Sequence, residues 1–253
     1  MDRCRLWGRK ISLRGTWGWK PEFPIGKELF TLGIPAATEQ MLSSGAFMTL
    51  IGVVALIGTP ALAAQQIAFT SFSVAFLPGL AFSIAGTALV GQSIGAHLPA
   101  DARKAWQISI RWALVWMGIG SVLVYLFAEQ LMRIYTQEPA VIESGVLALH
   151  SLAFALPLWA VWIVSSGALR GTGDTRTPLI VGSTSIWAAV GMAWLGVRFN
   201  NGGMDWVWIS FAIVAVPAAI IMGWMVHKRL SDYETGRREL PEISEAAAAM
   251  PAH

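Results

Sequence analysis

GVLALHSLAFALPLWAVWIVSSGALRGTGDTRTP, residues 145–178, is the stretch that decides the fold of this chain. From Gly145 to Ala168 it carries no Asp, Glu, Lys or Arg, and about 20 apolar residues make a helix long enough to cross the ~30 Å hydrocarbon core of a bilayer. A polar, glycine-containing turn follows, with Arg170, Gly171, Gly173, Asp174 and Arg176, and at Pro178 a second apolar run begins. A long apolar run, a short charged turn and another apolar run describe a chain that crosses a membrane, turns and crosses back.

The same alternation extends in both directions. Six spans are expected, at about 30–57, 64–93, 106–127, 145–168, 178–199 and 204–226. Composition agrees: 13% of the 253 residues are charged and 55% are hydrophobic, with 13 Trp, whereas soluble domains carry about 25% charged residues. The chain divides into a basic, Trp-containing cytoplasmic linker (1–26, with Trp7, Trp17 and Trp19), a six-helix transmembrane lobe (27–230) and a disordered cytoplasmic tail (231–253). Sixteen of the 18 Lys and Arg fall on one side of the six spans, leaving Arg133 and Arg198 on the other. By the positive-inside rule both termini are then cytoplasmic, in a multi-pass protein of the plasma (inner) membrane. Placed so, the basic residues face lipid headgroups, and nucleic acid is not an expected partner. One cysteine, Cys4, excludes an internal disulfide.

Four spans contain proline, at Pro35, Pro78, Pro157 and Pro217. Each removes a backbone donor inside a helix, which favours a bundle that bends. Small residues at helical spacing, Gly79 with Ser83, Gly86 with Val90 and Gly91, and Gly118 with Val122, suit close helix packing. In the 167–178 loop, Gly171 and Gly173 suit a tight turn, and Asp174 or Thr175 a helix cap.

Glu39 is the one acid deep within a span. It follows Pro35 by one turn and is expected near mid-membrane. A lone carboxylate in hydrocarbon is costly, so it takes a proton, coordinates Na⁺ or pairs with a cation, unless it is a protonated side chain bonded to a neighbouring helix. Gln40 offers a second polar ligand or interhelical glue. His150, in the fourth span, could relay protons with Glu39 or serve only as a satisfied core histidine. No His, Cys or acid cluster has metal-ligand spacing, and no serine lies in a nucleophile elbow, so neither a metal site, a cofactor nor an enzyme is expected.

Several stretches together are familiar: LGIPAATEQ (32–40), ALAAQQIAF (61–69), GTALVGQSIGA (86–96, including Gly91, Gln92 and Gly95) with DARKA (101–105), and LRGTGDTRTP (169–178). Over about residues 21–230 the chain resembles the carboxy-terminal half of multidrug and toxic compound extrusion (MATE) transporters, within a superfamily that includes lipid and polysaccharide flippases. The resemblance implies an all-α membrane protein whose six helices form one lobe of a twelve-helix transporter. It implies a secondary antiporter that exports organic cations and other amphipathic drugs in exchange for H⁺ or Na⁺. Some members place cation-coordinating acids in the seventh and tenth helices. Glu39 occupies a comparable region of the seventh, whereas 145–168 has no acid, a departure from that pattern. The chain is expected to need a second six-helix lobe, either a separate amino-terminal half or another copy of itself. Otherwise it is a non-transporting truncated fragment or scaffold; a flippase-like lipid transporter is the remaining alternative.

Overall fold

In the computed structural model, residues 23–199 and 202–237 are described. They form seven helices: α1 (Phe23–Ala55), α2 (Thr59–Gly95), α3 (Pro99–Leu126), α4 (Ala128–Tyr135), α5 (Pro139–Gly171), α6 (Arg176–Phe199) and α7 (Met204–Glu234). Five of them, α2, α3, α5, α6 and α7, are long and apolar enough to cross a membrane. The 33 residues of α1 are long enough as well, but Thr38, Glu39 and Gln40 interrupt its apolar run. The six expected spans correspond to α1, α2, α3, α5, α6 and α7.

The helices outrun the expected spans because hydropathy marks only the hydrocarbon-embedded part, while backbone hydrogen bonding continues past it. Proline opens three of them in the first turn (Pro60, Pro99, Pro139), where its missing N–H has no intrahelical partner to lose. The interior prolines Pro35, Pro78, Pro157 and Pro217 all lie within continuous helices. At the carboxy-terminal end, α7 runs through Glu234, so the expected tail begins as helix. Residues 1–22, most of the expected linker, and 238–253, most of the expected tail, lie outside the described residues.

α5 is the central element and packs against α2, α3 and α7. α6 leans on α7, and α1 rests mainly on α6. The α2–α5 crossing is close because both helices present small residues to it. Gly91 faces the Gly171 carbonyl, Gly167 faces Ser83 and Thr87, and the Ser83 hydroxyl donates to the Ile163 carbonyl at 2.8 Å. Interhelical hydrogen bonds and close van der Waals contact hold helices together where lipid removes the hydrophobic drive. Gly171 is therefore the last residue of α5 with a packing duty, and not a turn residue as expected; a Cβ there would sit 2.5 Å from the Thr87 carbonyl oxygen. The turn depends on Gly173 alone, at φ 80°. Gly118 and Gly95 face open space, so no close packing occurs at either.

α4 was not expected. It lies between the third and fourth spans, burying Ala128 and Met132 while Glu129 and Arg133 pair at 2.7 Å on its exposed side. Eight residues are too few for a span, and the i,i+4 charge pair was its only signal in the sequence.

Candidate functional site

Three helices meet at Glu39. Its side chain is almost wholly buried, with the residue 7% exposed, and Oε1 accepts a hydrogen bond from an Arg170 guanidinium nitrogen at 2.7 Å. Arg170 stands in the last turn of α5, where a cation also faces the free carbonyl end of the helix. From α6 comes Gly182. A Cβ at that position would lie 3.4 Å from both Glu39 Oε1 and Trp162 Cζ2, which makes the carboxylate and the indole edge near neighbours. The Trp162 Nε1–H is buried and has no hydrogen-bond partner among the described residues, as is true of the Ser166 hydroxyl one turn before Arg170 and the Ser183 hydroxyl beside Gly182. A carboxylate, a guanidinium and the edge of the Trp162 indole form a polar junction between otherwise apolar helices.

The depth of this junction differs from the expected one. Arg170, in the last turn of α5, reaches Glu39, and Gly182, six residues into α6, stands beside it, so Glu39 lies one to two turns inside the basic end of the bundle, nearer that end than its middle. The 16 residues from Glu39 to Ala55 span about 24 Å of helix, most of a bilayer core. The cause is that α1 begins at Phe23 and extends beyond its neighbours at the basic end; between Phe30 and Thr38 nearly all of its described side chains are exposed or half-buried.

His150 is not brought to Glu39. It lies 20 residues before Arg170 on α5, roughly 30 Å away along the helix, and its ring stacks on Tyr125 of α3 at 4.4 Å between centroids. A direct relay between the two is geometrically excluded. Gln40 is exposed, turned away from Glu39 by one helical step. Gln92 is exposed near the end of α2.

Asp174 has the duty foreseen for it and a further one. Its Oδ1 accepts from the Thr177 backbone N–H at 3.0 Å, capping α6, and Oδ2 accepts from the Thr177 hydroxyl and from Arg229 of α7. α6 starts at Arg176, two residues ahead of Pro178. Asp174→Ala is expected to lose both the cap and the tie to α7, destabilising the lobe by about 1–2 kcal/mol. Asp174→Asn keeps the cap and should recover most of that, as read by thermal unfolding of the two variants in detergent.

Arg229 and Arg170 are two of the interhelical ties at this end; Arg103 of α3 makes a third, to Glu234 (2.8 Å) and His227 Nδ1 (3.2 Å) of α7. Among the described residues, the one ion pair at the opposite end is the local Glu129–Arg133 pair, and Trp206 of α7 donates there to the Met192 carbonyl of α6 at 3.1 Å. None of the ties at the basic end was legible in the sequence, where the partners stand 55 to 131 positions apart. The one available signal for Arg170 was that the chain's lone deep acid needs a counter-charge and that Arg170 borders the apolar fourth span. Nothing marked Trp162 or Gly182.

The MatE family model matches residues 35–195, and the chain belongs to that family. A probable multidrug resistance protein NorM of Thermotoga maritima is 30% identical over 195 residues, 75% of this chain and 41% of the relative. The fold has the same kin. A MATE transporter solved in complex with MaL6 superimposes with a TM-score of 0.81 at 22% identity, over 87% of this chain and 50% of that one. A multidrug resistance MATE family transporter solved in an outward-facing conformation gives 0.79 at 24% identity, over 89% and 50%. The chain spans about half the length of the curated relatives it matches, and its helical bundle is the lobe-sized half of a MATE fold, a membrane protein.

Removing Arg170 alone should strand a buried carboxylate. Arg170→Met is expected to destabilise the lobe by about 2 kcal/mol, discounted from the fully buried case because the arginine is about one-third exposed. Adding Glu39→Gln should restore most of the loss, since the pair is then replaced and not broken. Equal losses in the single and double variants, measured by chemical denaturation, would contradict the pairing.

Proposed function

We propose that this chain is one lobe of a secondary antiporter in the plasma (inner) membrane that exports amphipathic organic cations in exchange for H⁺ or Na⁺, with both termini cytoplasmic. It acts as a transporter and not as an enzyme, with no cofactor beyond the coupling ion, and it works with a second six-helix lobe, a separate half or another copy. The observation that carries this reading is the buried Glu39 carboxylate held by a replaceable partner, Arg170. The name of the Thermotoga relative, a probable multidrug resistance protein, supports it as well.

In the arrangement described, Arg170 neutralises Glu39 and ties α1 to α5. A proton on Glu39 removes the attraction, and Na⁺ or an organic cation can take the place of the guanidinium. Each ligand therefore competes with the tie. Since α1 has few other contacts with α5 or α2, releasing it lets α1 move with α6. A ligand shifts a conformational equilibrium only by its differential affinity for the two states, and the α1–α5 tie supplies that difference. The stretch of α1 from Phe30 to Thr38, exposed or half-buried throughout, is the surface on which a second lobe would complete the cavity.

The test is transport by the chain assembled with a complementary six-helix lobe in proteoliposomes, with a fluorescent lipophilic cation inside and an imposed H⁺ or Na⁺ gradient. Gradient-driven export is the expected result. No export under either gradient, from an assembly that runs as a single particle, would favour a scaffold or an inert half and overturn the proposal.

A further inference from the structure

The seam between α3 and α7 at the basic end carries charge that the Glu39 junction does not use. Its floor is Arg103, bonded to His227 and Glu234. At 3.6 residues per turn, Arg111 stands about 80° around α3 from Arg103, and Lys228 about 100° around α7 from His227. α3 starts at this end and α7 finishes there, so the two helices run in opposite directions and both rotations turn toward the same side. That side faces away from the bundle, because Ala102, Trp106 and Ala113 of α3 and Met222, Val226 and Leu230 of α7 are buried on the other. Lys104 shares the outer face of α3 with Arg111, and Trp224 shares that of α7 with Lys228; all four are exposed.

The charges are not cancelled locally. Glu234 is committed to Arg103, and Asp101 to Lys104 at 3.0 Å in a pair more than half exposed on both sides, a contact worth little in water. Asp232, one turn beyond Lys228, is the remaining acid. Among the described residues neither Arg111 nor Lys228 has a carboxylate partner; the Lys228 ammonium lies over the Trp224 ring at 5.2 Å. Arg111 is an exposed cation on a membrane-spanning helix, eight residues or about 12 Å further along α3 than Arg103. Such a side chain reaches toward the interface, where a phosphate can meet it. A Trp three residues on the membrane side of the Arg103–His227 level is at the depth where indoles collect beside headgroups.

We propose that this seam is a binding site for an anionic glycerophospholipid, its phosphate held by Lys104, Lys228 and the extended Arg111 and its glycerol region against Trp224. The proposal depends on membrane embedding and not on Glu39, so it stands or falls apart from the transport reading. The probe is phosphatidylglycerol against phosphatidylcholine, counted as lipids retained per chain by native mass spectrometry of the purified protein. Each membrane-surface cation favours anionic over zwitterionic lipid. Wild type is expected to prefer phosphatidylglycerol by about tenfold, Lys104→Gln/Arg111→Gln/Lys228→Gln to lose that preference, and Arg133→Gln, at the far end, to keep it. Lys228→Glu alone should lower the preference and provides a single substitution at an exposed site should the triple variant misfold. A triple variant that folds with its preference intact, a wild type without preference, or displacement of the lipid by millimolar inorganic phosphate would each overturn the assignment.

Discussion

Glu39→Gln is expected to abolish gradient-driven export of a lipophilic cation in a two-lobe assembly, by on the order of 100-fold, the upper range of coupling between two sites. The amide keeps the size of the side chain and can still hydrogen-bond to Arg170, so the helices should pack as before. What it loses is the negative charge that pairs with Arg170 and for which, in the proposed mechanism, a proton, Na⁺ or an organic cation would compete. The lobe should therefore keep its thermal stability to within about 1 kcal/mol, because an arginine one-third exposed recovers water when its partner goes. Efflux measured beside thermal unfolding separates the two effects. Undiminished export by Glu39→Gln would remove Glu39 from the mechanism, whereas loss of export with loss of folding would make the pair structural only.

The second large effect is expected at Gly167. A Cβ there would come within 2.6 Å of the Ser83 and Thr87 hydroxyl oxygens and 2.8 Å of the Ser83 carbonyl oxygen. The hydroxyls can rotate away but the carbonyl belongs to the α2 backbone, so the two most extensively packed helices must separate. Alanine returns up to about 1 kcal/mol of helix propensity, yet overpacking of this kind costs about 1–3 kcal/mol, and the separation would also stretch the bond from Ser83 to the Ile163 carbonyl. Gly167→Val adds two methyls to the same contact, with no room for either. Gly167→Ala is expected to lower the melting temperature by several degrees, and Gly167→Val to prevent a monodisperse particle on size-exclusion chromatography. Gly118→Ala, where nothing lies within 4 Å, serves as the control and should be neutral or slightly stabilising. A Gly167→Ala variant as stable as the control would contradict the close α2–α5 crossing.

The Glu39 site was half legible. A carboxylate among apolar residues stands out in any hydropathy reading, and its need for a partner follows from the cost of burial. The partner itself could not be read, because Arg170 is 131 residues away and the pairing depends on how α1 and α5 cross. His150 illustrates the opposite error. It is a titratable group in a neighbouring span, but position along the helix, and not membership of the bundle, decides contact.

The sequence by itself determined the order of the long apolar helices, the glycine turn before α6 and its Asp174 cap, and membership of the family. These follow from hydropathy, backbone conformation and short-range hydrogen bonds, all set by residues within a few positions of one another. Only the tertiary structure decided that Gly171 serves packing and not the turn, that Glu39 lies near the basic end beside Arg170, and that Arg103, His227 and Lys228 share one seam. Those outcomes depend on the depth and rotation at which helices meet. Lipid leaves both undetermined by hydrophobicity alone, since every apolar face is equally at home in it. Small residues and the few charge pairs fix them instead.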